Sequence, residues 1–183
     1  MRDLANQQKI FEFFRALGQR ARSEARVYLT GGATAVLTGW RDMTVDIDVR
    51  FCPELDELFR ALPELKEQLR MNIELASPSD FIPPLPGWQE RSRFIAREGK
   101  VSFYHYDPYS QALSKLERGH EKDLVDVQAM LQRGMIERER LLELFEAIKP
   151  ELYRYPAIDP PNFETVVREF AGSSPYSSER DPG

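Results

Sequence analysis

Residues Val45 to Phe51 read VDIDVRF, and this stretch limits what the chain can fold into more than any other. Its β-branched, alternating character predicts a strand, with Val45, Ile47, Val49 and Phe51 on one face and Asp46, Asp48 and Arg50 on the other. Residues two apart on a strand point the same way, roughly 7 Å from each other, so two carboxylates enter one volume. Like charges in a partly buried place share a proton or need a cation between them. Oxygen donors favour Mg²⁺ or Mn²⁺, and the lack of any His/Cys cluster in the sequence argues against zinc.

A Gly31-Gly32 pair stands upstream. RVYLT, Arg26 to Thr30, predicts a short strand that the glycines end, and ATAVLTGW starts a helix that Gly39 stops. Glycines at such a junction let backbone approach a ligand, and the N–H groups of a helix start attract phosphate. Thr30 and Thr34 flank the pair as phosphate hydrogen-bonding candidates, with Thr34 equally suited to capping the helix. A phosphate cradle beside paired carboxylates is the equipment for metal-assisted in-line displacement at phosphorus.

Around this centre the chain alternates elements. Ala5 to Arg22 carries Ile10, Phe11, Phe14 and Leu17 at helical spacing. Pro53 opens an acidic helix that Pro63 interrupts or restarts. MNIELA, Met71 to Ala76, predicts a third strand, and the Pro-rich Ser77 to Trp88 a loop that packs through its apolar residues. Strands follow near Ser92 to Arg97 and Val101 to Tyr106, joined at Glu98-Gly99. Beyond Pro108 the pattern is helical, over Tyr109 to Arg133 and, past Gly134, Glu137 to Ile148. The expectation is an α+β fold: a small mixed β-sheet flanked by helices in a core of residues 1–107, a helical segment 108–172 packed on it, and a disordered polar tail 173–183.

Bulk properties narrow the class. A chain of 183 residues holds one domain, at most with a helical appendage. With 42% hydrophobic and 30% charged residues it reads as an ordinary soluble protein. Nothing approaches the run of about 18 apolar residues that a spanning helix needs, and MRDLANQQK lacks a secretory apolar core. Lone Cys52 has no partner for an intrachain disulfide and reads as a small buried residue. These features predict a cytoplasmic protein with no membrane partner. The net charge of −5 argues against coating nucleic acid through bulk electrostatics, though not against a local basic groove.

Read as one helix at about 100° per residue, SKLERGHEKDLVDVQAML places Leu113, Leu116, His120, Leu124, Val127 and Leu131 on a core stripe. Lys115, Lys122 and Asp126 fall opposite, with Arg118 beside them and Asp123 at the border. Taken alone, that is either an exposed ion-pair face or a ligand-binding one. His105 and His120 read as structural histidines.

Gly-Gly, thirteen residues and then an apolar-bounded Asp-Ile-Asp resembles the opening motif of the DNA polymerase β-type nucleotidyltransferase superfamily. TGGATAVLTGWRDMTVDID, ELASPSDFIPPLPGW and SKLERGHEKDLVDV, over roughly Val27 to Leu131, are similar to bacterial uncharacterised and abortive-infection toxin-like nucleotidyltransferases. The resemblance implies a polymerase β-like core in which Asp46 and Asp48 hold Mg²⁺ or Mn²⁺ with a third carboxylate, Glu74 ahead of Asp80. It implies that Gly31 and Gly32 hold an NTP, that Lys115 with Arg118 meets the triphosphate, and that Asp126 or Asp123 orients the lysine. Arg41 and Thr44 match the family's R-x-x-T and brace carboxylates or phosphates, unless they form an ordinary turn. The implied acceptor is a hydroxyl of tRNA or protein, and the implied partner of a toxin is a cognate antitoxin. Three other readings fit parts of the pattern: a catalytically inactive nucleotide-binding or toxin–antitoxin interaction protein, a DxD-type glycosyltransferase, and aspartates that merely protect a sheet edge.

Overall fold

A computed structural model describes residues 1–172, so the segment expected as a disordered tail, 173–183, lies outside the described residues. The fold is α+β, a five-stranded mixed sheet flanked by helices. Its strands are β1 (Ala25–Thr30), β2 (Asp46–Cys52), β3 (Asn72–Leu75), β4 (Arg93–Glu98) and β5 (Val101–His105), in the order β3-β2-β1-β5-β4. β1 runs antiparallel to β2 and parallel to β5, β2 parallel to β3, and β4 antiparallel to β5. β2 is therefore an interior strand. Its aspartates cannot be edge protection, because both edges of β2 are already paired.

One face of the sheet, including Val27, Leu29, Ile47, Val49, Ile73 and Phe103, is buried against α1 (Gln7–Arg20) and α3 (Asp56–Leu69). Phe14 of α1 stacks on Phe103 with ring centroids 3.9 Å apart. A second apolar cluster joins α5 (Pro108–Arg118), α6 (Glu121–Gln132), α7 (Arg138–Ile148) and α8 (Pro160–Gly172) to Ile82 and Leu85 of the Pro-rich loop. Between the two clusters lies the sheet's other face, where the charged side chains of β2 point.

Several expectations change here. Val45 precedes the strand and is 62% exposed, so the core face of β2 begins at Ile47. α3 starts at Asp56 and runs through Pro63 without a break. The long helix expected over Tyr109 to Arg133 is two helices, because Gly119 takes a left-handed conformation (φ +70°) that ends α5. That turn discards the single helical wheel: His120 is exposed at the cap of α6, and Leu124 is exposed as well. Cys52 is partly exposed rather than buried. The helix α8 falls inside the expected helical segment 108–172 but was not expected as a separate helix, and the short α4 (Trp88–Arg91) was not expected. Asp159-Pro160-Pro161 was the available signal for the former, since Asp159 caps the Asn162 N–H at 3.0 Å and proline suits a first helical turn.

Candidate active site

Thr30 ends β1, and Gly31, with φ +63°, turns the chain into α2 (Gly32–Thr38). Only glycine suits either position. A Cβ on Gly31 would lie 3.1 Å from Asp48 Oδ2, in a backbone conformation that L side chains rarely adopt. A Cβ on Gly32 would stand 1.9 Å from Thr44 Oγ1. Thr44, seated against Gly32, donates from its hydroxyl to the Asp46 carbonyl at 3.0 Å and so fixes how the chain enters β2. The expected brace at Thr44 therefore acts through the backbone.

Register gathers the carboxylates. Asp48 lies opposite Thr30 on β1 and opposite Glu74 on β3. Asp46, Asp48 and Glu74 line a cavity of about 240 Å³ together with Thr30, Gly31, Phe81, Lys115 and Arg118. Burial, with Asp46 and Glu74 as like-charged neighbours, pushes the Asp48 pKa up to about 6, against the pull of Arg118 and Lys115. Asp80 is elsewhere: exposed, it accepts from the Ser77 N–H at 2.8 Å and caps a 3₁₀ turn.

Asn72 was missed by sequence reasoning. Its side-chain amide donates to Asp46 Oδ1 and, at 2.8 Å, to Glu74 Oε1, while Arg2 Nη1 donates to its carbonyl at 2.8 Å. Arg2 thus orients the amide, and the amide ties two of the three carboxylates. The spacing that pairs Asp46 with Asp48 also pairs Asn72 with Glu74, which was the signal available. Among the described residues no three His, Cys, Asp or Glu side chains are gathered into a ready-made chelating cluster.

The cationic side of the cavity is built by the break at Gly119, which folds α6 back so that its first turns meet the end of α5. Lys115, almost fully buried, donates to Asp126 Oδ2 at 2.8 Å and to Asp123 Oδ1 at 3.4 Å. Arg118 reaches Asp123 at 2.7 Å. Asp126 is 1% exposed and also accepts from Arg41 Nη2 (2.8 and 2.7 Å) and Trp40 Nε1 (3.0 Å). Of the two proposed orienters, Asp126 takes the shorter bond from Lys115. Arg41 braces that aspartate, not the carboxylates of β2. The face expected to be either solvated or ligand-binding is an internal ion-pair network whose cations border the cavity.

The glycine turn departs from expectation in two ways. The Gly31 N–H donates to Gln111 Oε1 at 3.0 Å, so it is already engaged. Thr34 is fully buried, donates to the Leu29 carbonyl at 3.3 Å and meets Gln111 and His105. It does not line the cavity, and the phosphate-binding expectation for Thr34 is withdrawn. His105 is structural as expected, its Nδ1 3.1 Å from Thr34 Oγ1. Burial, aided by Arg93 across the sheet, drops its pKa to about 4.

One strand carrying Asp46 and Asp48, a glycine turn against Asp48, and Lys115 and Arg118 thus border a single cavity. A family described as "Nucleotidyltransferase of unknown function (DUF6036)" matches residues 6–170. The chain belongs to this family. Its membership implies transfer activity and a nucleotide substrate. No curated protein and no solved structure matches the chain significantly. The match spans both apolar clusters, so the family comprises the C-terminal helices as well as the sheet. Among the described residues no helix is long and apolar enough to cross a membrane.

Proposed function

We propose that the chain is a metal-dependent nucleotidyltransferase that moves a nucleoside monophosphate from an NTP to the hydroxyl of an RNA or protein acceptor. The observation that carries this reading is Asp48: a carboxylate beside Gly31, flanked by two further carboxylates, with a pKa pushed up to about 6. Its charge lacks a full protein counterpart. The oxygen donors of Asp46, Asp48 and Glu74 suit a hard divalent cation such as Mg²⁺ or Mn²⁺. Bound there, it would supply charge neutralisation at the phosphates.

The residues divide the remaining work. Lys115 and Arg118 draw the triphosphate into the cavity, and Thr30 and Gly31 form its wall. Asp126 and Asp123 keep the cations in place. The acceptor oxygen forms a bond to the α-phosphorus, the bond from that phosphorus to the β-bridging oxygen breaks, and pyrophosphate leaves with the electron pair. Glu74, the most exposed of the three carboxylates, takes the hydroxyl proton.

The resemblance to toxin-like transferases extends the proposal to a growth-arresting role held in check by a cognate antitoxin in the cytoplasm. Incubation with Mg²⁺, each α-labelled NTP and an acceptor pool should transfer label in the wild type and not in Asp48→Ala. Transfer that survives this substitution contradicts the assignment. Growth arrest on expression that Asp48→Ala abolishes would support the toxin role, and arrest that persists would contradict it.

A further inference from the structure

One of the three carboxylates stands at the junction of two cavities. Asp46 lines the cavity that holds Gly31, Lys115 and Arg118, and it also lines a second of about 630 Å³ with Met43, Val45, Lys122 and Val125. Val125 in turn lines a third, of about 550 Å³, which continues along α6 past Leu124 to Trp40 and Arg133. A groove therefore leads from Asp46 along α6, lined by neither Lys115 nor Arg118.

The groove is apolar where such a surface is unexpected. Met43, Val45, Leu124 and Val125 are 52%, 62%, 42% and 66% exposed, and all four converge here. Single exposed apolar residues are ordinary, but a contiguous group beside a reaction centre marks a binding surface. Its charges are balanced. Lys122 is matched by neighbouring Glu121, Arg41 is committed to Asp126, and Asp46 offsets Arg133. A nucleic-acid track needs an excess of cations to meet phosphates, and this groove has none.

We propose that the groove seats the acceptor and that the acceptor is a polypeptide, held by its own apolar side chains. It presents a serine, threonine or tyrosine hydroxyl at the Asp46 end. This rests on the transferase reading and narrows it to one acceptor class. The product is a phosphodiester joining the side-chain oxygen to the nucleoside. Pyrophosphate departs with the electrons of the broken bond, and the hydroxyl proton goes to Glu74.

The test uses the full chain with Mg²⁺ and α-labelled NTPs on two pools, RNase-treated cytosolic protein and protein-free total RNA. Label should enter polypeptide and be released by phosphodiesterase. Val125→Glu and, separately, Val45→Glu should each cut that transfer at least about tenfold, the scale of a central interface contact. Both positions are exposed, so the variants fold, and a thermal shift with Mg²⁺ and NTP should match the wild type. Label in RNA overturns the proposal, as does protein labelling that both variants leave intact. Label in neither pool, with nucleotide binding retained, overturns it too. Loss of Mg²⁺–NTP binding in the wild type would instead remove the underlying transferase reading, and the groove proposal with it.

Discussion

Asp48 and Asp126 are both aspartates withdrawn from bulk water, and Lys115 borders each of them, yet the protein treats them oppositely. Asp126 receives a lysine, an arginine and an indole N–H, so its charge is met three times over. Asp48 faces two carboxylates, and the cations nearest it are already committed to Asp123 and Asp126. A buried charge that the protein has paired belongs to its architecture. One that it has crowded with like charge takes a proton or a cation from solution, and under the proposed function the acidic ledge beside the glycine turn suits a divalent ion with a nucleotide.

Substitutions at the two aspartates should therefore fail in different currencies. Asp48→Ala should lower labelled-nucleotide transfer by about 10³-fold or more, the scale on which charge stabilisation acts in phosphoryl transfer. The melting temperature of the metal-free protein should not fall, and a large drop there would erase the distinction. Asp126→Ala should instead destabilise the fold by about 3–5 kcal/mol in urea titration, because Arg41 loses its partner and buried Lys115 keeps only its longer contact with Asp123. An unchanged midpoint would show that the network does not tie α5, α6 and the Trp40-Arg41 turn together.

Asn72 sharpens the contrast, since it is the neutral group that the protein supplies to the ledge. Removing its amide in Asn72→Ala should weaken Mg²⁺ binding about tenfold in calorimetry, as loss of groups orienting metal ligands does. Equal or tighter Mg²⁺ binding in the variant would mean that the amide does not position the carboxylates. Titration gives the smallest effects, and they have opposite signs. His105 has a folded pKa of about 4 against an ordinary 6.5, so the unfolded chain takes up a proton that the folded one refuses. Its contribution to stability falls as pH drops from 6.5 towards 4. Asp48, raised from 3.8 to about 6, stabilises the metal-free fold over nearly the same descent, because the folded state then binds the extra proton. Metal-free melts across that window should lose an acid-destabilising component in His105→Gln and an acid-stabilising one in Asp48→Asn. Identical profiles for the two variants would contradict both shifts.

The ledge was more legible in the sequence than the knot around Asp126. Period-two alternation puts Ile47, Val49 and Phe51 in the core and Asp46 and Asp48 on the other face, a local rule that survives any register. The partnership of Glu74 needed β3 to lie parallel to β2 in one particular register, which a strand pattern alone does not specify. Lys115 and Asp126 were found as residues but not as a buried pair. Treating Ser114 to Leu131 as one helix overlooked Gly119, whose left-handed turn reverses the chain and brings positions eleven apart into contact. Thr34 misled for a related reason: proximity to the glycines in sequence says nothing of which way a short helix faces. Trp40 and Gln111 act through contacts 86 and 80 residues distant, for which no local pattern exists.

The central claim is most directly tested by titrating Mg²⁺, with a non-hydrolysable NTP present, into the wild type and Asp48→Asn and reading the heat of binding. The wild type should bind the ion and the variant should bind it at least about tenfold more weakly, given that carboxylate ligands and their supports carry such factors. Equal affinity in the two proteins would show that the crowded aspartate holds no metal and would contradict the account.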